Sequence, residues 1–388
     1  MSSKELVLAH INDLKNGEMK SYPIGDDRKI LLSKIRGQFH AVGAVCTHYG
    51  ADLDEGVLNG ERIVCPWHHA AFNAKTGDVE EPPALDALPT YEVRVEGDDV
   101  IVKLPEEFQD SRVPEMADHD PQQDNRTFVI IGAGAAGNAA AQTLRQDGFK
   151  GRIVVVTRED RTPYDRPQLS KEYLQGEADE EFIPLRSKEF YQEHGLELML
   201  QTEVKTVEVA NRAVLFEGGE RLKYDKLLLA TGAVPRTLDV PGADLKNVFT
   251  LRTYDDSAAI IAASKTASSV AVIGASFIGM ETAYSLRERK LPITVIAPEA
   301  VPFQKVLGEE IGKLFQDLHE ENGVQFKLNA RVAKFEGTER VEAVVLEDGQ
   351  RVKADLVVAG VGVKPAVDYL VDTGLLSEGA VTVDPGQR

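Results

Sequence analysis

Phe128-Val-Ile-Ile131 runs without a break into Gly132-Ala-Gly134-Ala-Ala-Gly137. The apolar run predicts a buried strand, and the alanine-rich stretch after the glycines predicts a helix to about Gln146. Arg152-Ile-Val-Val-Val-Thr157 follows as a second strand, and Glu159 lies 22 residues beyond Gly137. Strand, glycine turn, helix, strand and acid in this order predict a dinucleotide site. The glycines let the backbone turn tightly and approach a pyrophosphate, the helix N-terminus faces the phosphates, and Glu159 is placed to accept from a ribose hydroxyl. The alternative for the glycines is a tight packing turn between helix and strand.

Toward the C-terminus the pattern repeats. Ser269-Val-Ala-Val-Ile273 leads into Gly274-Ala-Ser276-Phe-Ile-Gly279-Met-Glu281, and Ile293-Thr-Val-Ile296 is the next strand. The first glycines of the two turns lie 142 residues apart. Two such folds imply two nucleotides. Ser276 replaces the middle glycine, which the site tolerates if the side chain points away from phosphate.

Toward the N-terminus, residues 106–125 hold seven acids against one base, with Pro114 and Pro121. Such a stretch buries little apolar surface and reads as a linker, spanning about 25 Å as a flexible coil. Before it, Ile30–Ile35, Phe39–Val42, Tyr91–Val95 and Val100–Leu104 read as short strands of a small antiparallel barrel or sandwich. This part carries Cys46-Thr-His48 and, after sixteen intervening residues, Cys65-Pro-Trp-His68. Two thiolates and two imidazoles suit a 2Fe–2S centre in which sulfur holds one iron and nitrogen the other, with a potential of roughly −150 to +300 mV. The same donors also suit a tetrahedral zinc ion. By spacing His68 is the ligand, and His69 is a loop residue beside the centre.

The chain has 388 residues, enough for two or three domains, and a formal net charge of −19. That charge disfavours nucleic acid and anionic membrane as partners. Both of its two cysteines belong to the candidate cluster, so no disulfide is expected, and a reducing, cytoplasmic setting follows. The N-terminus has no apolar signal core, and no run approaches the ~18 apolar residues of a membrane span.

Further motifs lie between and after the glycine turns. They are Pro163-Tyr-Asp-Arg166-Pro-Gln-Leu169-Ser170-Lys171, Lys226-Leu-Leu-Leu-Ala-Thr231-Gly232, and Asp355-Leu-Val-Val-Ala-Gly360-Val-Gly362. With these the chain resembles flavin-dependent pyridine-nucleotide reductases of the ferredoxin-reductase kind, which serve aromatic-ring oxygenases. Cys65-Pro-Trp-His-His-Ala-Ala-Phe72 and Lys75-Thr-Gly77 resemble Rieske ferredoxins. Together they resemble apoptosis-inducing-factor-like proteins and their bacterial counterparts.

The resemblance implies a multidomain fold. An all-β Rieske domain (residues 1–105) and an acidic linker (106–125) precede an α/β flavoprotein reductase with two dinucleotide-binding domains. These are an FAD domain (126–250) and an NAD(P)H domain (251–370), with residues 371–388 starting a return to the FAD domain. It implies a 2Fe–2S cluster on Cys46, His48, Cys65 and His68, and FAD held at Gly132, Gly134, Gly137, Glu159, Thr231 and Gly232. Arg166 and Lys171 fall beside the isoalloxazine ring, with Lys171 paired to Glu281 as the catalytic pair. Gly274, Gly279 and Glu281 fall in the NADH or NADPH site. Two departures stand out. The ribose-holding acid of the second site aligns with Ala297, and Glu299 comes two residues late; no arginine follows closely to receive a 2′-phosphate, which favours NADH. The chain also stops at Arg388, where the return segment should begin, so a truncated C-terminal part is expected.

The function expected is electron transfer from NAD(P)H through FAD to the cluster, and on to an oxygenase or soluble redox protein. A nitrite-reductase component is one alternative and would need a sirohaem domain elsewhere. A redox-sensing interaction protein is another, which slow turnover would reveal. A disulfide reductase is excluded, because the flavin part has no cysteine. A homodimer is among the assemblies left open.

Overall fold

The computed structural model describes residues 4–25, 28–386 and 388. It divides into two compact units, Met1–Met116 and Ala117–Arg388.

The first unit is all-β. Lys29–Ile35 pairs antiparallel with Met19–Pro23 and Gln38–Gly43, and Lys4–His10 pairs with Asp99–Leu104. The reason lies in the apolar content of two strands. Lys29–Ile35 and Asp99–Leu104 bury most of their side chains in unbroken runs, Ile30–Ser33 and Val100–Val102, which suits strands covered on both faces. Ile30, Leu32, Val100 and Val102 share one core cluster. A separate four-stranded sheet, Val57–Asn59, Arg62–Val64, Ala71–Asn73 and Val79–Glu81, carries one of the two Cys/His loops. The Cys46 and Cys65 side chains pack with Leu53, Ile63 and Phe72 in a second cluster.

The acidic stretch 106–125, expected as a flexible coil, is tied down from both ends. Ser111 Oγ donates to Asp86 Oδ2 at 3.1 Å, and Arg112 forms a backbone bridge with Ala87. On the other side, the Ala117 N–H donates to the Arg145 carbonyl at 2.9 Å, and the His119 ring contacts the Lys150 carbonyl at 2.9 Å.

The second unit repeats one plan twice. Its first parallel sheet has the order Leu196–Met199, Arg152–Val156, Thr127–Ile131, Lys226–Leu229. Its second has the order Val324–Lys327, Ile293–Ile296, Val270–Ile273, Leu356–Ala359, Val248–Thr250. Thus Val248–Thr250 supplies the second sheet with a fifth strand. The central strands are continuously buried, the pattern of a parallel sheet covered on both faces. An antiparallel meander accompanies each sheet: Val204–Lys223 the first, Val332–Lys353 the second. The helices Ala135–Gln146 and Phe277–Glu288 follow the two glycine turns. Arg145, fully buried, locks the first sheet's surroundings by donating to the carbonyls of Phe149, Gly151, His194 and Gly195.

Among the described residues no helix is long and apolar enough to cross a membrane.

Candidate functional site

The first glycine turn is shaped by contact. A Cβ on Gly137 would stand 1.8 Å from the Gly132 carbonyl oxygen, and one on Gly132 would stand 2.2 Å from the Ala230 oxygen. Gly132 also has φ +111°, which disfavours any side chain. The turn therefore closes only with hydrogen at these positions. The helix behind it starts at Gly134 without a side-chain cap, so its first N–H groups are left for a ligand.

A cavity of about 760 Å³ opens beside this turn. It gathers Gly132, Gly134, Glu159, Arg166, Thr231 and Gly232 from four separate stretches of sequence. Gly137 packs behind the turn instead, and Lys171, Gly274, Gly279 and Glu281 lie outside the lining. The volume falls within the roughly 300–1,000 Å³ of small-molecule sites.

Polar side chains fix the cavity's shape. Glu159 accepts hydrogen bonds from the Tyr164 hydroxyl and the Arg166 guanidinium. Arg166, which the resemblance puts beside the ring, is thus held to the acid next to the glycine turn, and its Nη1 donates to the Arg252 carbonyl at 2.9 Å. Burial pushes the Tyr164 hydroxyl's pKa well up, helped by its bond to Glu159, so Tyr164 stays a donor. Burial, together with the positive charge of Arg166, lowers the pKa of Arg252. Thr231 Oγ1 donates to the Ala366 carbonyl at 2.8 Å, tying the Thr231-Gly232 turn to the late segment. Tyr164, which holds Glu159, and Arg252 and Tyr369, which line the cavity, are site residues that sequence reasoning missed. The signal for Arg252 was its place just after the strand Val248–Thr250, where the second fold begins.

Lys171 and Glu281 meet: Nζ stands 3.0 Å from Oε1, and Ser170 Oγ donates to the other carboxylate oxygen at 2.6 Å. The second glycine turn repeats the first. A Cβ on Gly279 would lie 2.0 Å from the Gly274 oxygen, and Gly274 has φ +105°.

In the first unit the two ligand loops share one closure. The Cys46 N–H donates to the Ala51 carbonyl and the Cys65 N–H to the Ala70 carbonyl, both at 2.9 Å. Gly50 and His69 occupy equivalent places and both have positive φ, +81° and +61°. His69 therefore takes a backbone state that the other loop gives to glycine. Both thiols are buried, while the His68 side chain is exposed. The His48 and His68 rings stand edge to face with centroids 4.9 Å apart. Burial pushes the Cys46 thiol up to about 11, against the pull of the His48 and Tyr49 backbone N–H groups and with the Cys65 thiol adding to the rise. Iron would remove that proton, since a coordinating thiol is held as thiolate. Among the described residues no three or more His, Cys, Asp or Glu side chains gather as for a single metal ion. The four donors come as a thiol pair and an imidazole pair, which suits two irons with one pair on each.

The fold and these sites define a flavoprotein with two dinucleotide-binding folds behind an iron–sulfur domain. Residues 126–388 match the family of pyridine nucleotide-disulphide oxidoreductases, and residues 4–92 match the Rieske [2Fe-2S] domain. The chain belongs to the pyridine nucleotide-disulphide oxidoreductase family and carries a Rieske domain in front. The family uses FAD and NAD(P)H, and the Rieske domain carries a 2Fe–2S cluster.

The chain is 39% identical over 378 residues to Apoptosis-inducing factor 3 of Homo sapiens, covering 96% of this chain and 62% of that protein. It is 36% identical over 262 residues to Rubredoxin-NAD(+) reductase of Pseudomonas putida, covering 67% of this chain and 68% of that protein. Among solved structures, the ferredoxin reductase for the CYP199A2 system from Rhodopseudomonas palustris matches with a TM-score of 0.65 at 37% identity, covering 67% of this chain and 64% of that one. The chain thus spans less than two thirds of the length of Apoptosis-inducing factor 3.

Proposed function

We propose that this chain moves electrons from a nicotinamide nucleotide through FAD to a Rieske 2Fe–2S cluster, and from there to an external oxygenase or soluble redox protein. The observation that carries it is the cavity, where residues from four separate stretches meet around the first glycine turn. FAD supplies the conversion of a two-electron hydride donor into one-electron steps.

The protein's residues have distinct parts in this reading. Gly132, Gly134 and Gly137 bring backbone N–H groups to the pyrophosphate. Glu159 stays available to ribose through its remaining lone pairs, while Tyr164 and Arg166 hold it in place. Thr231 and Gly232 wall the cavity. Gly274 and Gly279 shape the nicotinamide-nucleotide turn. Lys171, held by Glu281, offers positive charge where hydride transfer places negative charge. Cys46 and Cys65, both buried, would hold one iron of the cluster, and His48 and the exposed His68 would hold the other. The thiol pair and the imidazole pair suit one iron each. An exposed imidazole end suits delivery to an outside acceptor.

A cytoplasmic setting belongs to the same reading, since both of the chain's two cysteines serve the cluster and no disulfide asks for an oxidising compartment. So does a homodimer. Beyond the kink at Gly308, the helix running to Glu321 leaves Ile311, Leu314 and Leu318 exposed at helical spacing, and light scattering tests it.

Anaerobic stopped-flow spectra of the protein loaded with FAD and cluster test the electron path. Flavin bleaching by NADH or NADPH, followed by loss of cluster absorbance, is the expected sequence. Bleaching with no change at the cluster breaks the internal route.

A further inference from the structure

Ser170 comes just before the lysine of the ion pair, and the two neighbours grip one carboxylate. Lys171 Nζ stands 3.0 Å from Glu281 Oε1, while Ser170 Oγ donates to Oε2 at 2.6 Å. A hydroxyl has one proton to give. The Pro167 carbonyl, at 3.3 Å, is the farther acceptor, so the proton goes to the carboxylate. A serine that only shaped the Arg166–Ser170 turn would spend it on the backbone. The shorter distance is that of a charge-assisted O–H···O⁻ bond.

The two grips differ in their surroundings. Lys171 and Glu281 keep partial exposure, whereas Ser170 is buried. Further buried groups seat Ser170. Ser285 lies four residues after Glu281, on the same face of the helix Phe277–Glu288. It is fully buried and donates from Oγ to the Ser170 carbonyl at 2.7 Å. Gln175 Nε2 in turn donates to Ser285 Oγ at 3.2 Å. Ser257 Oγ holds the carbonyl of the preceding residue, Leu169, at 2.8 Å. The hydroxyl on Oε2 is thus anchored in the protein, while the ammonium on Oε1 sits on a long stem that reaches water.

We propose, on the reading of Lys171 and Glu281 given above, that Ser170, seated by Ser285, is a positioning residue for flavin reduction. Its hydroxyl fixes the Glu281 carboxylate, and through it the place of Lys171 Nζ. The last torsion of a glutamate side chain is broad, so a single contact at Oε1 leaves the carboxylate free to turn. A buried donor on Oε2 stops that turn. A positive charge already in place needs no reorganisation when negative charge arrives beside it.

Stopped-flow reduction of the FAD-loaded protein by NADH gives the first test. Ser170→Ala should lower the limiting rate about tenfold, while the NADH dissociation constant changes little. In the Glu281→Gln background, Ser170→Ala should cost nothing more, because it acts through that carboxylate; independent losses would multiply. Acetylation of Lys171 by an amine reagent, mapped by mass spectrometry, reads the same hold without turnover. Ser170→Ala should speed it about fivefold, the upper worth of a partly exposed ion pair. An unmoved limiting rate, losses that multiply, or unmoved acetylation overturns the inference while leaving the ion pair standing. A rate that Glu281→Gln itself leaves unchanged overturns both. Should Ser170→Ala fail to fold, Ser285→Ala decides: slower reduction that Glu281→Gln masks supports the inference, and an unchanged rate or a multiplying loss overturns it.

Discussion

Lys171 Nζ stands 3.0 Å from Glu281 Oε1, and Ser170 holds the second oxygen of that carboxylate at 2.6 Å. The pair joins the Arg166–Ser170 turn to the helix Phe277–Glu288 across more than a hundred residues of chain. Ser285 adds a bond from its hydroxyl to the Ser170 carbonyl at 2.7 Å. Both charged side chains keep partial exposure, 40% for Lys171 and 28% for Glu281.

Glu281→Gln should therefore act on chemistry more than on stability. A partly exposed ion pair is worth about 0–1 kcal/mol, so the melting temperature should barely move. Loss of the charge that positions Lys171 should slow flavin reduction by NADH roughly 10²-fold. Stopped-flow absorbance beside a thermal melt separates the two. An unchanged reduction rate would remove the pair from the mechanism.

His68→Ala takes one imidazole from the outer pair. The paramagnetic resonance signal of the reduced cluster should vanish, while flavin reduction persists in the second unit. An intact Rieske signal in this variant would refute the ligand assignment.

Gly137→Ala and Gly279→Ala each place a methyl group against a backbone oxygen, at 1.8 Å and 2.0 Å. Backbone cannot swing aside as a side-chain tip can, so each should cost about 1–3 kcal/mol or more. Gly137→Ala should also weaken retention of FAD, and Gly279→Ala the binding of NAD⁺. Chemical denaturation and flavin release measure these. Wild-type stability in either variant would show that the turns have slack the geometry denies.

Asp355 links the second sheet to the segment before it. Its carboxylate accepts from the Ser268 N–H at 3.0 Å, the Ser268 hydroxyl at 2.7 Å and the Ser269 N–H at 3.0 Å. Burial alone would raise its pKa, but the bonds from Ser268 and Ser269 outweigh it and hold the group below its ordinary 3.8. A pKa depressed by folding contributes stability above the unfolded value and loses it as pH falls through the folded one. Asp355→Asn should thus be destabilising at neutral pH, by an amount that holds steady down to 3.8 and shrinks below it. Urea unfolding across that range checks the sign, and a gap that widens in acid would contradict it.

Much of this was legible in one dimension. Both glycine turns, their flanking strands and the two Cys/His pairs depend on residues close together in the chain, where backbone shape and ligand spacing act locally. The grip of Tyr164 and Arg166 on Glu159 was not legible, nor was the contact between Arg166 and Arg252, 86 residues apart. The acidic segment read as a free coil because composition reports its lack of apolar residues. It says nothing of the polar bonds at Ser111, Arg112, Ala117 and His119 that secure it.

The order of residues alone determined that two dinucleotide folds follow a domain with two thiols and two imidazoles, since each motif is a short run with its own conformational demand. Only the folded chain decided which residue of the second fold corresponds to Glu159 of the first. Counting along the sequence put Ala297 there. The Ala297 N–H donates to the Lys327 carbonyl, and the Asn329 and Ala330 N–H groups donate back to Glu299 and Ala297, the same bonds that Thr157, Met199, Gln201, Glu159 and Thr202 make in the first fold, so Glu299 matches Glu159 instead.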